Sequence, residues 1–305
     1  MKGELPRRPR LLLVGGGGGF VGRAILAEFS SDWTIRSVHR HAAPGEAIAA
    51  VEWVSADVAS VPTWRPMLEG VDVVVNVAWY RSGSDRRFRP LTEGLLRLVE
   101  EARSAGLRRF VQISVPIATD RIETTLPYML RKREVDRAVA ASGLPYTLVR
   151  PTMLFGPGDK LLGVMLRTMA RWHRFPMFGD GEYRVSPLAV RDLARIVRRE
   201  IDCPGSRIVA AGGPRVWRYR ELTDRLFDAL ALRPRYLHLS PKGGERLATG
   251  LERIGSTLLY AYEVDWLVSD LLGLPPYEGL ATPLEPVEEY LRAEGMRVRP
   301  HRPDG

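Results

Sequence analysis

The sequence predicts an α/β protein: a doubly wound, mostly parallel sheet over residues 1–155, then a smaller helix-rich region over 156–305, interleaved with the sheet. Three observations predict it. An aliphatic run at 11–14 leads into five consecutive glycines and then an amphipathic segment, Phe20–Phe29. Strand-like and helical stretches then alternate as far as Arg150. After Pro151 the rhythm changes to a turn followed by further helical patterns.

Five glycines in a row would break a helix or a strand, because glycine loses the most backbone entropy on ordering. They belong in a turn that needs positive φ or a close approach of backbone to ligand. A strand beginning near Arg10 and a helix starting at Phe20 flank the run. Together these parts make a pyrophosphate site, with free backbone N–H groups and the positive end of a helix dipole facing the anion. Gly16, Gly19 and Gly22 fit a G-x-x-G-x-x-G spacing, with Phe20 and Val21 at the helix start and Gly17 and Gly18 as slack. A flexible loop is the competing reading; the flanking strand and helix patterns argue against it.

Further strands are expected at 34–39, 51–54, 72–77, 109–114 and 145–150, and helices at 63–69, 91–105 and 127–141. Gly106 and Gly143 close two of these helices and Pro127 opens one, as the terminal preferences of the two residue types require. Strands alternating with helices imply right-handed crossovers and a parallel sheet. Beyond Pro151, a turn at 156–159 precedes helices at 160–173, 190–201, 218–230 and 241–255, with a strand at 207–211. A cleft between the two regions is the expected substrate site.

With 305 residues, 45% of them hydrophobic, the chain can bury a substantial core. Cys203 is the one cysteine, so no intrachain disulfide forms and a reducing, cytoplasmic setting is expected. The basic start is followed by too short an apolar run for a secretory leader. No stretch reaches the ~20 apolar residues of a membrane span. The most apolar segment, 258–274, is interrupted by Glu263, Asp265 and Asp270 and reads as a buried or interface helix. The net charge of +9 and pI of about 10.0 come from arginines spread along the chain among interleaved acids. No helix-turn-helix, zinc-ligand or aromatic RNA-binding pattern accompanies them, which argues against specific nucleic-acid binding and leaves no metal site. Attraction to anionic ligands or to a membrane surface remains compatible with the charge.

The second strand bears on the choice of dinucleotide. It ends Arg36-Ser37-Val38-His39-Arg40-His41, without the acid that would bind a ribose 2′-OH. Arg40, with His39, suits a 2′-phosphate, so NADP is favoured over NAD; an exposed basic turn is the alternative. Asp57, after the third strand, can accept from the adenine amino group or cap a turn.

Tyr128 and Lys132, four residues apart, share one face of the helix at 127–141. An ammonium beside a phenol favours the phenolate and makes tyrosine a usable acid–base group. The same lysine can hold the nicotinamide ribose. Ser114, at the end of the preceding strand, can hydrogen-bond a substrate carbonyl or hydroxyl. The alternative is an ordinary surface helix.

These residues resemble the short-chain dehydrogenase/reductase superfamily, in its extended and atypical branches, from about Arg10 to Arg292. The match lies in the Gly16–Gly22 turn, Asp57, Asn76-Val77-Ala78, Ser114, Tyr128 with Lys132, and the segment 150–159. That segment looks like R-P-x-x-x-Y-G-P-G-D with Phe155 in place of the tyrosine. The resemblance implies a Rossmann fold and adds Val58, Ala78 and Pro151 to the cofactor-binding residues. It also implies catalytic roles for Tyr128, Lys132 and Ser114.

Thirteen residues separate Ser114 from Tyr128, fewer than in nucleotide-sugar epimerases and dehydratases, and Arg184 sits one place early relative to their phosphate-gripping arginine. The stretch 179–194, Gly212-Gly213-Pro214 and Tyr219-Arg220-Glu221-Leu222 look closer to atypical members related to the NADPH-binding accessory subunit of respiratory complex I. The implied activity is hydride transfer between NADP(H) and a small carbonyl, alcohol or activated alkene. A non-catalytic NADPH-binding structural or sensor protein and a nucleotide-sugar epimerase or dehydratase are the alternatives. Residues 81–89 are expected as a loop that closes on an anionic substrate or is simply solvated. Residues 79–88, 153–155 and 161–178 would line a pocket for an apolar or aromatic molecule bearing an anionic group.

Overall fold

The computed structural model describes residues 8–15, 18–40, 51–80, 82, 84–116, 127–159, 161–254 and 259–298. The chain divides into two compact units: the first comprises 1–115, 127–150 and 194–209, the second 116–126, 151–193 and 210–305.

The first unit is built on a seven-stranded sheet. Its strands are β1 (Arg10–Val14), β2 (Thr34–His39), β3 (Val51–Ser55), β4 (Val73–Asn76), β5 (Arg109–Ile113), β6 (Tyr146–Pro151) and β11 (Arg207–Ala211). Their order is β11-β6-β5-β4-β1-β2-β3, and every pairing among β1–β6 is parallel. The central strands are continuous aliphatic runs because a parallel sheet is covered on both faces: Leu11, Leu12, Leu13, Val14, Val73, Val74 and Val75 are fully buried.

Four helices belong to this unit: α1 (Phe20–Phe29), α2 (Arg65–Leu68), α3 (Asp85–Arg103) and α4 (Pro127–Ala141). Two depart from the sequence expectation. The helix expected at 63–69 shortens to α2. The helix expected from Leu91 begins at Asp85 and runs through Pro90, so residues 85–89 are helix rather than a closing loop; Arg81 and Gly83 lie outside the described residues. The start is held by charge. Asp85, an acid in the first helical turn, accepts from Arg131 Nε at 2.8 Å and Nη2 at 3.0 Å, which fixes α3 onto α4. Farther along α3, a Cβ on Gly94 would lie 1.8 Å from the carbonyl oxygen of Val58. A mid-helix glycine is present because the loop after β3 rests against the helix backbone there. The Trp64 indole donates to the Gly94 carbonyl at 2.9 Å.

The second unit contains three two-stranded pairings that the sequence reading did not anticipate. They are β7 (Leu154–Phe155) with β10 (Leu188–Ala189), β9 (Arg184–Val185) with β12 (Trp217–Arg218), and β8 (Phe175–Phe178) with β13 (Tyr236–Leu239). Helices α5 (Leu162–Trp172), α7 (Tyr219–Ala229) and α10 (Val287–Val298) pack around Phe155, Leu166, Met169, Trp217, Phe227 and Leu291. Helix α6 (Val190–Ile201) crosses from the second unit's sequence into the first's. Helix α8 (Pro241–Arg253) packs on α9 (Ala261–Val268). The apolar segment 258–274 is thus only partly helical, and within α9 Tyr262 and Val264 are the buried residues. Asp159 secures the start of α5 by accepting the N–H groups of Leu161 at 2.6 Å and Gly163 at 3.0 Å. Among the described residues no helix is long and apolar enough to cross a membrane.

Candidate cofactor and catalytic site

Gly15 leaves β1 with φ +81, its N–H donating to the Val38 carbonyl at 3.0 Å. A Cβ there would lie 2.5 Å from Ala78 Cα and 2.8 Å from Ala78 N. Glycine is therefore obligatory at Gly15, the member of the run that the G-x-x-G-x-x-G spacing did not select; a three-glycine template cannot index a run of five. Gly16 lies outside the described residues. Gly18 has open space where a Cβ would be, which agrees with its reading as slack. Gly19 is the N-cap of α1, in extended conformation, and Gly22 is buried in the helix that Phe20 and Val21 open. The first turn of α1 carries no acid, so its free N–H groups stay available to an anion.

Ala78 is fixed from below. Its N–H donates to Asn76 Oδ1 at 3.0 Å, Asn76 Nδ2 donates to Gln112 Oε1 at 2.7 Å, and Gln112 Nε2 donates to the Ile113 carbonyl at 3.2 Å. Both side chains involved, Asn76 and Gln112, are buried. The same Ile113 carbonyl accepts from Lys132 Nζ at 2.6 Å. A continuous chain of hydrogen bonds thus joins Ala78, the residue nearest to where a Gly15 Cβ would sit, to α4.

At the other flank, Arg40 is exposed just past β2 and the His39 ring packs edge-on against Trp53, with centroids 5.3 Å apart. Asp57 caps its turn, accepting the Ala59 N–H on Oδ1 at 3.0 Å, and Val58 is buried beneath α3. The Tyr80 hydroxyl is shifted upward by burial, against the pull of Arg40 and Arg87, with Asp57 adding to the rise. Arg87, expected in a loop that closes on an anionic substrate, lies instead in the first turn of α3.

On α4, Tyr128, Lys132 and Asp136 occupy one face at successive turns. Tyr128 is half-buried, its ring edge-on to Trp79 and Phe88 at 5.9 and 5.8 Å, while Trp79 and Phe88 stack on each other. Lys132 is buried with Nζ 4.8 Å from the Trp79 ring centroid. Desolvation lowers its ammonium to about 8, against the upward pull of Asp136. Ser114, also buried, donates its hydroxyl to Asp136 Oδ2. Asp136 faces Arg150 Nη2 at 3.8 Å, and burial raises its carboxyl despite Ser114, Lys132 and Arg150. The sequence reading named Ser114, Tyr128 and Lys132 and missed Asp136, although the i+4 step that links Tyr128 to Lys132 reaches Asp136 when repeated. Pro151 ends β6, buried, and belongs to the second unit.

The second unit holds its own cavity of about 850 Å³, whose lining includes Tyr183, Arg184, Arg215, Trp217, Arg218 and Asp270. Its arginines are already engaged. Arg184 donates to Asp270 through Nε at 2.8 Å and through its backbone N–H at 2.5 Å, Arg218 pairs with Glu182, and Arg215 lies 3.7 Å over the Trp217 ring. Among the described residues no group of three or more His, Cys, Asp or Glu is placed to hold a metal.

Residues 16–166 match the NAD(P)H-binding family model. The chain is 25% identical over 310 residues to 2-alkyl-3-oxoalkanoate reductase of Stenotrophomonas maltophilia, covering 89% of each chain. It is 26% identical over 138 residues to the mitochondrial NADH dehydrogenase [ubiquinone] 1 alpha subcomplex subunit 9 of Arabidopsis thaliana, covering 44% of this chain and 34% of the plant protein. Its fold matches the crystal structure of a nucleoside-diphosphate-sugar epimerase from Staphylococcus aureus with a TM-score of 0.76, at 19% identity over 93% of this chain and 99% of the other. The parallel Rossmann sheet, the positive-φ glycine turn at its first crossover and the family match agree, and the chain belongs to the NAD(P)H-binding Rossmann family, among its atypical, epimerase-like short-chain dehydrogenases and reductases.

Proposed function

We propose that this protein binds NADP(H) and reduces a small carbonyl compound, or oxidises the corresponding alcohol. One arrangement carries the proposal: Tyr128, Lys132 and Asp136 on a single face of α4, with Ser114 hydrogen-bonded to Asp136. The glycine turn fits a dinucleotide, since the start of α1 carries no acid to compete with an anion for its N–H groups. Gly19, Phe20 and Val21 would meet the pyrophosphate with backbone N–H groups. Arg40 and Arg87 would grip a 2′-phosphate. When bound, the nicotinamide supplies or accepts the hydride.

The chain's own residues handle the proton. Tyr128 gives it to the substrate oxygen in reduction and takes it in oxidation. Trp79 and Phe88 shield the Tyr128 ring, and Lys132 follows one turn away on the same face of α4. Ser114 has two states. While Asp136 is a carboxylate it holds the serine proton, and Ser114 Oγ offers a lone pair to a substrate hydroxyl. Once Asp136 is protonated it donates to Oγ, and the serine proton turns to a substrate carbonyl. Burial raises the Asp136 carboxyl, bringing that exchange nearer to neutral pH.

The similarity along 89% of 2-alkyl-3-oxoalkanoate reductase favours a 3-oxo acid, which is a carbonyl with an anionic group. The pairing of Arg184 with Asp270 weighs against a nucleotide-sugar epimerase, because it neutralises a guanidinium that a diphosphate would need. A structural NADPH-binding role draws on a different observation: Lys132 Nζ is engaged by the Ile113 carbonyl and the Trp79 face.

Thermal melting of the purified chain is expected to rise with NADPH by several degrees and less with NADH; no rise with either would end the cofactor assignment. Arg40→Ala is expected to weaken NADPH roughly tenfold or more, as losing a charge-assisted bond worth about 1.5–3 kcal/mol requires. NADH binding to the same variant should barely change, and an equal loss for both would refute the 2′-phosphate role. Tyr128→Phe should leave NADPH binding intact and lower turnover of a 3-oxo acid about 100-fold or more, the usual scale for a lost acid–base group. Retained turnover would remove Tyr128 from the mechanism and favour the structural role.

A further inference from the structure

The second unit carries a surface feature independent of the cofactor reading. At the end of α5 the chain presents Arg171, Trp172, His173 and Arg174 in succession, all exposed, with Trp172 61% exposed. His173 takes a left-handed conformation, φ 53, which stops the helix and turns the chain into β8. Strand β13 lies parallel to β8 with Tyr236 opposite Phe175, and the Phe175 N–H donates to the Arg235 carbonyl at 2.9 Å. Arg235, exposed, therefore stands beside Arg174; Arg233, also exposed, precedes it by two residues, and Leu237, 47% exposed, follows on the same strand.

Among the described residues, Arg171, Arg174, Arg233 and Arg235 have no acidic partner within ion-pair distance. Other arginines of this unit are matched, among them Arg184 by Asp270, Arg218 by Glu182 and Arg225 by Asp228. One edge thus combines unmatched guanidiniums with an indole and a leucine left in water.

We propose that this edge docks the protein reversibly on an anionic phospholipid surface. Guanidiniums close to an anionic leaflet are attracted to it within a Debye length. An indole, apolar in body with a polar N–H, settles at the headgroup level. A polynucleotide would also attract the arginines, but binding a single strand calls for several aromatic rings along a groove. Here the exposed apolar side chains are one indole, Trp172, and the aliphatic Leu237, better suited to the boundary between headgroups and acyl chains.

The test is flotation of the full chain with vesicles of equal parts phosphatidylcholine and phosphatidylglycerol, against vesicles of phosphatidylcholine alone. The chain is expected to float with the mixed vesicles, to stay behind with the neutral ones, and to be released by salt. Changing Arg171→Gln together with Arg235→Gln should lower partitioning about 25-fold, at roughly fivefold per charge. Vesicles carrying brominated acyl chains should quench part of the native tryptophan fluorescence, and that part should vanish in Trp172→Ala. Both variants should keep the NADPH-induced rise in melting temperature. Equal binding to neutral and mixed vesicles, unchanged partitioning of the double variant, quenching that survives Trp172→Ala, or tighter binding to an RNA homopolymer than to the mixed vesicles would each overturn the proposal.

Discussion

Gly15→Ala is expected to destabilise the protein by about 2–6 kcal/mol and to abolish the NADPH-induced rise in melting temperature. Two costs combine. A side chain at φ +81 is strained by about 1–3 kcal/mol. Its Cβ would also press on the Ala78 backbone at 2.5 Å, and overpacking of that kind typically costs about 1–3 kcal/mol. Ala78 has nowhere to retreat, since Asn76 and Gln112 hold its N–H in place. Urea unfolding gives the first number directly. Gly18→Ala, where a Cβ meets open space, is the internal control and should be close to neutral. Equal losses at Gly15 and Gly18 would mean that the run is a flexible loop after all.

Asp136→Ala should cost about 3–5 kcal/mol, because removing one member of a buried charged cluster leaves its partners uncompensated. Arg150 and Lys132 are both buried, and Ser114 would lose its acceptor. The pH dependence separates charge from packing. In the native chain Lys132 is depressed from 10.5 to about 8. Between those values the unfolded chain binds more protons, so this group makes stability rise with pH across that window. Asp136 is raised above 3.8, so the folded chain binds more protons there and stability falls as pH climbs from 3.8 through the folded value. In Asp136→Ala the acidic slope should disappear. The alkaline rise should begin below pH 8, since Lys132 loses the carboxylate that pulls its ammonium upward. Asp136→Asn should reproduce both changes in slope with a smaller loss of stability, because the amide can still accept from Ser114. Urea midpoints measured across pH for the three proteins provide the comparison, and a native-like profile in Asp136→Asn would exclude charge as the cluster's main contribution.

Much of the first unit could be read from the sequence because its signals are local. Continuous aliphatic runs such as 11–14 and 73–75 can be buried on two faces only in a covered sheet, and a tyrosine and lysine one turn apart need no tertiary information to share a face. What escaped depends on distant neighbours. The start of α3 at Asp85 rests on Arg131, which is 46 residues away, and the support beneath Ala78 rests on Asn76 meeting Gln112 across 36 residues. The two-residue strands of the second unit are too short to establish any periodicity. Within the glycine run, spacing counts residues but carries no information about φ, so it chose Gly16 and passed over Gly15.

The notch at Gly94 limits how the surroundings of Tyr128 can change. With the Val58 carbonyl seated where a side chain would be, and the Trp64 indole bound to the same turn, α3 is keyed against sliding or rolling. Phe88 rides on that helix and, with Trp79, walls in Tyr128. A wider or narrower chamber around Tyr128 must therefore come from exchanging Phe88 or Trp79 themselves. Drift of the helix would first have to undo the key.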